Sequence, residues 1–116
     1  MAPPEAAAFA VVYITAASRE QGLAIARALV AERLVACVNL VEPITSVYRW
    51  EGEVSEDREA LLVAKTRLAL ADRVAARVRE LHTYACPETI AVPLAAGAPA
   101  YLDWLAAETV DPSRPG

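Results

Sequence analysis

Val35 to Thr66 reads VACVNLVEPITSVYRWEGEVSEDREALLVAKT, and how this stretch is read decides the fold. It carries no helical stripe, and its β-branched and aromatic residues fall in two arms on either side of Glu51-Gly52. Glycine accepts the positive φ of a two-residue hairpin turn, so the reading is one long β-hairpin with Glu51-Gly52 at its tip. An arm from Glu53 to Lys65 has about 13 residues and at ~3.3 Å per residue extends roughly 43 Å. A compact chain of this length has a radius of gyration of about 13 Å, hence a diameter of roughly 35 Å. The tip must overhang unless Pro43 or a bulge bends it. The distal part, 46–57, then needs cover for its edges and for Val47, Tyr48, Trp50 and Val54. The simplest cover is another copy of the chain in a closed symmetric oligomer; the alternative is a twisted hairpin folded back over its own sheet.

On either side of the hairpin the pattern alternates between strand and helix. Phe9 to Thr15, FAVVYIT, is a short β-branched run and reads as a buried strand. Ser18 caps a helix running to about Arg33, with Glu20 in its first turn and an apolar stripe of Leu23, Ala26, Leu29 and Val30. Leu68 to His82 repeats the helical pattern with Ala71, Val74, Ala75, Val78 and Leu81. Thr89 to Leu94, TIAVPL, is a strand whose Pro93 belongs near a strand end or sheet edge. Gly97-Ala98-Pro99 turns into a last helix reaching about Thr109, with Pro99 at its first position. The order βαββαβ predicts an α+β, ferredoxin-like sandwich, four antiparallel strands under two helices, with an extra C-terminal helix. One domain is expected over residues 9–109, with loose tails at 1–8 and 110–116 rich in proline and small residues.

Composition narrows the partners. Of the 116 residues 56% are hydrophobic but only 6% aromatic, so the core is aliphatic. A formal charge of -4 sets the chain against an extended polyanion, and nucleic acid is not expected as a partner. No apolar run is long enough for a membrane helix, and MAPPEAAA resembles neither a secretory signal nor a transit peptide. A soluble, cytoplasmic protein follows, with Cys37 and Cys86 as reduced thiols.

The residue types that ligate and react concentrate in Leu81–Glu88, LHTYACPE, which holds the only histidine. His82 and Cys86 stand four apart, a helical ligand spacing, with Glu88 as a further oxygen donor. Pro87 pushes Cys86 out of the helical region, so the helix should end near His82 or Thr83. Three readings follow: a helix-end histidine, a metal or ligand contact, and a Cys86 nucleophile with His82 as its base. Cys37, mid-strand, reads as a small core residue. On the hairpin, Glu59 and Lys65 share a strand face with Leu61 and Val63, where a buried charge needs a partner. They read equally as an intersubunit pair or as part of a pocket. The interleaved basic and aromatic residues of an RNA-recognition sheet, the arginine-bearing glycine loop of an acyl-phosphate hydrolase and the P-loop are all missing from the sequence.

Several blocks taken together resemble the CutA family of divalent-cation tolerance proteins. They are Ala36-Cys37-Val38-Asn39, Ser46-Val47-Tyr48-Arg49-Trp50-Glu51-Gly52, Glu59 through Lys65-Thr66, His82-x-Tyr84-x-x-Pro87-Glu88, and Tyr101-Leu102-x-Trp104. The resemblance covers roughly residues 9 to 109 in order. It implies a ferredoxin-like subunit in a P-II-like homotrimer whose hairpins cross between subunits. It also implies a non-enzymatic role in the response to divalent metals, copper among them, with no required cofactor. Many members have proline where this chain has Thr83, and some have a cysteine and a second histidine where it has Ile14 and Leu81. A soft metal set built on those positions retains only His82. The resemblance implies a cleft between subunits with His82 as the metal ligand and Glu59, Lys65, Tyr84 and Glu88 contacting a small ligand or ion. Two other readings stand beside it: a P-II-like module for a small metabolite, and a weak hydrolase using Cys86 or His82.

Overall fold

The computed structural model describes residues 5–113. The chain runs through β1 (Phe9–Ala16), α1 (Arg19–Ala31), β2 (Cys37–Trp50), β3 (Glu53–Arg67), α2 (Ala71–Leu81), β4 (Thr89–Pro93) and α3 (Pro99–Glu108). The four strands form one antiparallel sheet in the order β2-β3-β1-β4, the ferredoxin-like arrangement expected. Pro93 ends β4, which is an edge strand, so its missing N–H costs no ladder bond.

The sheet's two faces differ because side chains alternate along each strand. Val12, Ile14 and Ala16 of β1 and Ala60, Leu62 and Ala64 of β3 are buried under the helices, against Ile25 and Leu29 of α1 and Val74 and Val78 of α2. Ser18 accepts a hydrogen bond from the Gln21 amide and starts α1 as its sequence suggests. The face α1 buries is the expected stripe only in part, since Leu29 is buried and Ala26 packs on the core. Gly22, Ile25 and Leu29 point inward while Val30 stays exposed. A Cβ built on Gly22 would lie 2.9 Å from Leu40 Cδ1 and 3.2 Å from Leu62 Cδ1, so the helix rests on the sheet through the residue with no side chain.

The opposite face carries Val11, Tyr13, Leu61, Val63, Ile90 and Val92 by the same alternation. At one end α3 covers it. Leu102 and Leu105 pack on Phe9, and Arg67 donates to Ala106 O at 2.7 Å and to Thr109 Oγ1 at 3.0 Å. The rest is open, with Ile90 55% and Val92 48% exposed.

The hairpin closes as expected. Trp50 pairs with Glu53, and Glu51 and Gly52 have φ of 49° and 81°, the two positive values of a type I′ turn. Between Val41↔Leu61 and Ile44↔Glu59, β2 holds one residue more than β3, a bulge at Glu42 and Pro43. The tip overhangs. The molecule measures 52 × 27 × 23 Å, with Val47 and Val54 each 62% exposed, so the hairpin is not folded back over its own sheet.

Of the tails expected at 1–8 and 110–116, residues 1–4 and 114–116 lie outside the described residues. Ala6–Ala8 form a single 3-10 turn, with Ala6 against the Phe9 cluster, and the Val110 amide donates to Arg33 O at 2.9 Å. No described helix is long and apolar enough to cross a membrane.

Candidate functional site

The helix α2 stops at Leu81 and His82 is its C-cap, with φ −89° and ψ 149° and its amide donating to Val78 O at 2.8 Å. The imidazole turns inward and is 9% exposed. Nε2 lies 2.7 Å from the carbonyl oxygen of Thr15, and the Tyr84 amide lies 3.0 Å from Nδ1. A carbonyl only accepts and an amide N–H only donates, so the pair requires a neutral ring with its hydrogen on Nε2. His82 thereby ties the end of α2 to the end of β1. A metal ion at either nitrogen must first displace one of these backbone groups, and neither nitrogen is free to serve as a base for the exposed Cys86.

Next to this corner, the hairpin and the α2–β4 connection enclose a cleft of about 560 Å³. Tyr84 lies against His82 with ring centroids 4.4 Å apart and the planes tilted by 39°, and donates from its hydroxyl to Glu59 Oε2 at 2.9 Å. That bond joins the corner to the hairpin. On the hairpin side Tyr48, whose hydroxyl is bonded to the Asp57 carboxylate, lines the cleft together with Ser46 and Trp50. Glu88 and Cys86 line it from the β4 side, and Thr15 from the end of β1. Thr15 is 9% exposed.

The electrostatics follow from this lining, which contains no lysine, arginine or histidine. Burial and then the nearby Glu59 charge raise the Glu88 carboxyl above its ordinary range. Burial, and then the bond to Glu59, push the Tyr84 phenol up to about 12. Behind the cleft, Gln21 Nε2 donates to Thr83 Oγ1 at 2.8 Å and holds the corner against the start of α1.

Of the expected site residues, Glu59, Tyr84 and Glu88 come together. His82 sits behind them as a buried brace, and Lys65 lies elsewhere. Lys65 is six residues along β3 from Glu59, roughly 20 Å away, where it is bonded to Asn39 and stands 3.9 Å from Cys37 Sγ. Thr15, Ser46, Tyr48 and Trp50 were not expected at a cleft. The hairpin reading held the signal for three of them, since counting back from the tip puts 46, 48 and 50 on one face of β2.

A family model described as CutA1 divalent ion tolerance protein matches residues 10–108. The chain belongs to that family. Among CutA relatives, the divalent-cation tolerance protein CutA of Thermus thermophilus is 52% identical over 99 residues, 85% of this chain and 96% of that protein. The chloroplastic protein CutA of Arabidopsis thaliana is 47% identical over 95 residues, 82% of this chain but 52% of that protein, so the chain spans about half its length. The solved structure of Cut A1 from Thermus thermophilus aligns with a TM-score of 0.86 at 50% identity, covering 88% of this chain and 99% of that one. The resemblance carried by the Tyr48–Gly52 and His82–Glu88 blocks is thus family membership, and the chain has the CutA1 fold.

Proposed function

We propose that this chain acts as a non-enzymatic homotrimer in the response to divalent metals and holds a small ligand, or a divalent ion such as copper, at the Glu59–Tyr84–Glu88 cleft. Family membership supports the metal-response role. The observation that carries the assignment to this cleft is the Tyr84–Glu59 bond, which brings two parts of the chain together around an acidic hollow. Support for the trimer comes from the open apolar sheet face and the overhanging hairpin, both of which another subunit would cover. Lys65, on that open face, goes with the subunit contact rather than with the cleft. A cytoplasmic location belongs to the same proposal, and cell fractionation tests it.

Copper and zinc titrations by calorimetry on wild type, Glu59→Gln and His82→Ala test the metal role. Heat lost in Glu59→Gln supports the cleft; heat lost only in His82→Ala moves the ion to the corner. No heat in any of the three removes direct metal binding. The cleft's size favours a second reading, a P-II-like module for a small metabolite, because about 560 Å³ lies within the range of small-molecule pockets. Thermal-shift screening of metabolites tests it. The hydrolase reading loses its base, since both His82 nitrogens are engaged.

A further inference from the structure

We propose that the cleft's ligand is a small organic cation, a protonated or quaternary amine, held between the carboxylates of Glu59 and Glu88 and the rings of Tyr48, Trp50 and Tyr84. This deepens the reading of the cleft as the ligand site and rests on it. Two carboxylates and no basic side chain line the space, so its potential favours positive charge. Burial first, and then the Glu59 charge beside it in the same lining, raise the Glu88 carboxyl above its ordinary value. A bound cation would offset the repulsion between the two carboxylates.

The walls distinguish an organic cation from a metal ion. Three aromatic residues line one hollow, and the electron-rich face of an aromatic ring attracts an ammonium group, most strongly where water is displaced. Divalent ions instead need several hard donors converging at short range. Among the described residues no group of three or more His, Cys, Asp or Glu is placed to hold a metal. Tyr84 already donates to Glu59 Oε2, which orients that carboxylate and leaves Oε1 free to accept from a ligand. Thr15, at the end of β1, adds a further polar residue to the same lining. The volume suits a free metabolite-sized amine.

The test is a set of NMR titrations of the intact protein with choline, with butylammonium, and with dimethylbutanol, the uncharged carbon isostere of choline. The Trp50 indole and Glu88 amide serve as reporters. The expected result is binding of at least one ammonium probe, with the alcohol at least about tenfold weaker. Glu88→Gln and Trp50→Ala should each weaken ammonium binding by about tenfold, while Glu51→Gln at the hairpin tip, which removes one charge outside the cleft, stays within about twofold. Equal affinity for choline and the alcohol overturns the proposal, as does an equal loss in Glu51→Gln and Glu88→Gln. A copper titration separates the two levels of the claim. Cleft resonances that respond to copper but to neither ammonium overturn the organic-cation assignment and leave a ligand cleft standing. No response to any probe removes both.

Discussion

Tyr84 and Glu59 stand 25 residues apart in the chain and are joined by one hydrogen bond of 2.9 Å, phenol to carboxylate. It is the link between the hairpin and the corner after α2. In Tyr84→Phe the ring can stay on His82 while the link is lost. Bonds to charged groups contribute about 1.5–3 kcal/mol, but Tyr84 is 37% exposed and solvent screens it, so the expected loss is about 1 kcal/mol. Urea denaturation measures it; an unchanged midpoint would mean the link is not made in solution.

The same phenol gives a pH signature. Burial first, then the bond to Glu59, raise its pKa from 10.0 to about 12. The folded state therefore holds this proton more tightly than the unfolded chain does. Its stabilising contribution is complete below pH 10.0 and is lost as pH climbs through about 12. Tyr48 and Tyr101 are raised as well, so the Tyr84 signal is the ultraviolet phenolate titration of the wild type minus that of Tyr84→Phe; it should ionise late, and in Glu59→Gln earlier but still above the ordinary range, since burial is the larger cause.

His82 is expected to matter for stability before it matters for any ligand. His82→Ala leaves the Thr15 carbonyl and the Tyr84 amide without their partner and opens a void, at a cost of about 2–4 kcal/mol. Thermal unfolding checks this. Nitrogen chemical shifts of the wild-type ring should report a protonated Nε2 and an unprotonated Nδ1; the opposite tautomer would contradict the brace.

At the tip, Glu51 occupies a left-handed conformation with φ 49° that asparagine adopts more readily. Glu51→Asn should stabilise the hairpin by roughly 0.5–1 kcal/mol, read as a higher denaturation midpoint at unchanged slope. A lower midpoint would argue that Glu51 makes a contact in the assembly that the turn geometry does not account for.

The open sheet face predicts an assembly. Light scattering of the wild type should give three times the 12.4 kDa of one chain, and Val92→Glu, which places a charge on that face, should lower the mass toward one chain. A wild-type mass of one chain would end the trimer proposal.

Much of the fold was legible because it rests on local periods. Alternation along Ala60–Thr66 showed which side chains of β3 share a face, and Glu51-Gly52 marked the turn that set the hairpin register. The stripe of α1 is only partly right because a glycine carries no hydrophobic signal, yet at Gly22 the helix comes so close to the sheet that a Cβ would crowd Leu40 and Leu62. Lys65 was grouped with Glu59 on a shared face, which is correct as alternation but says nothing of distance, and six residues of extended strand separate them.

The order of elements, the turn and the family were readable from the chain alone, since each depends on neighbouring residues or on matching blocks; that the hairpin overhangs rather than folding back was settled by the structure. The resemblance had grouped Glu59, Tyr84 and Glu88; folding in three dimensions added Tyr48 and Trp50 to them, removed Lys65, and showed that His82 spends both nitrogens on backbone groups. The Nε2 contact spans 67 residues, from His82 to Thr15. Bonds of that kind form where α2 docks on the sheet, and no local pattern encodes the docking.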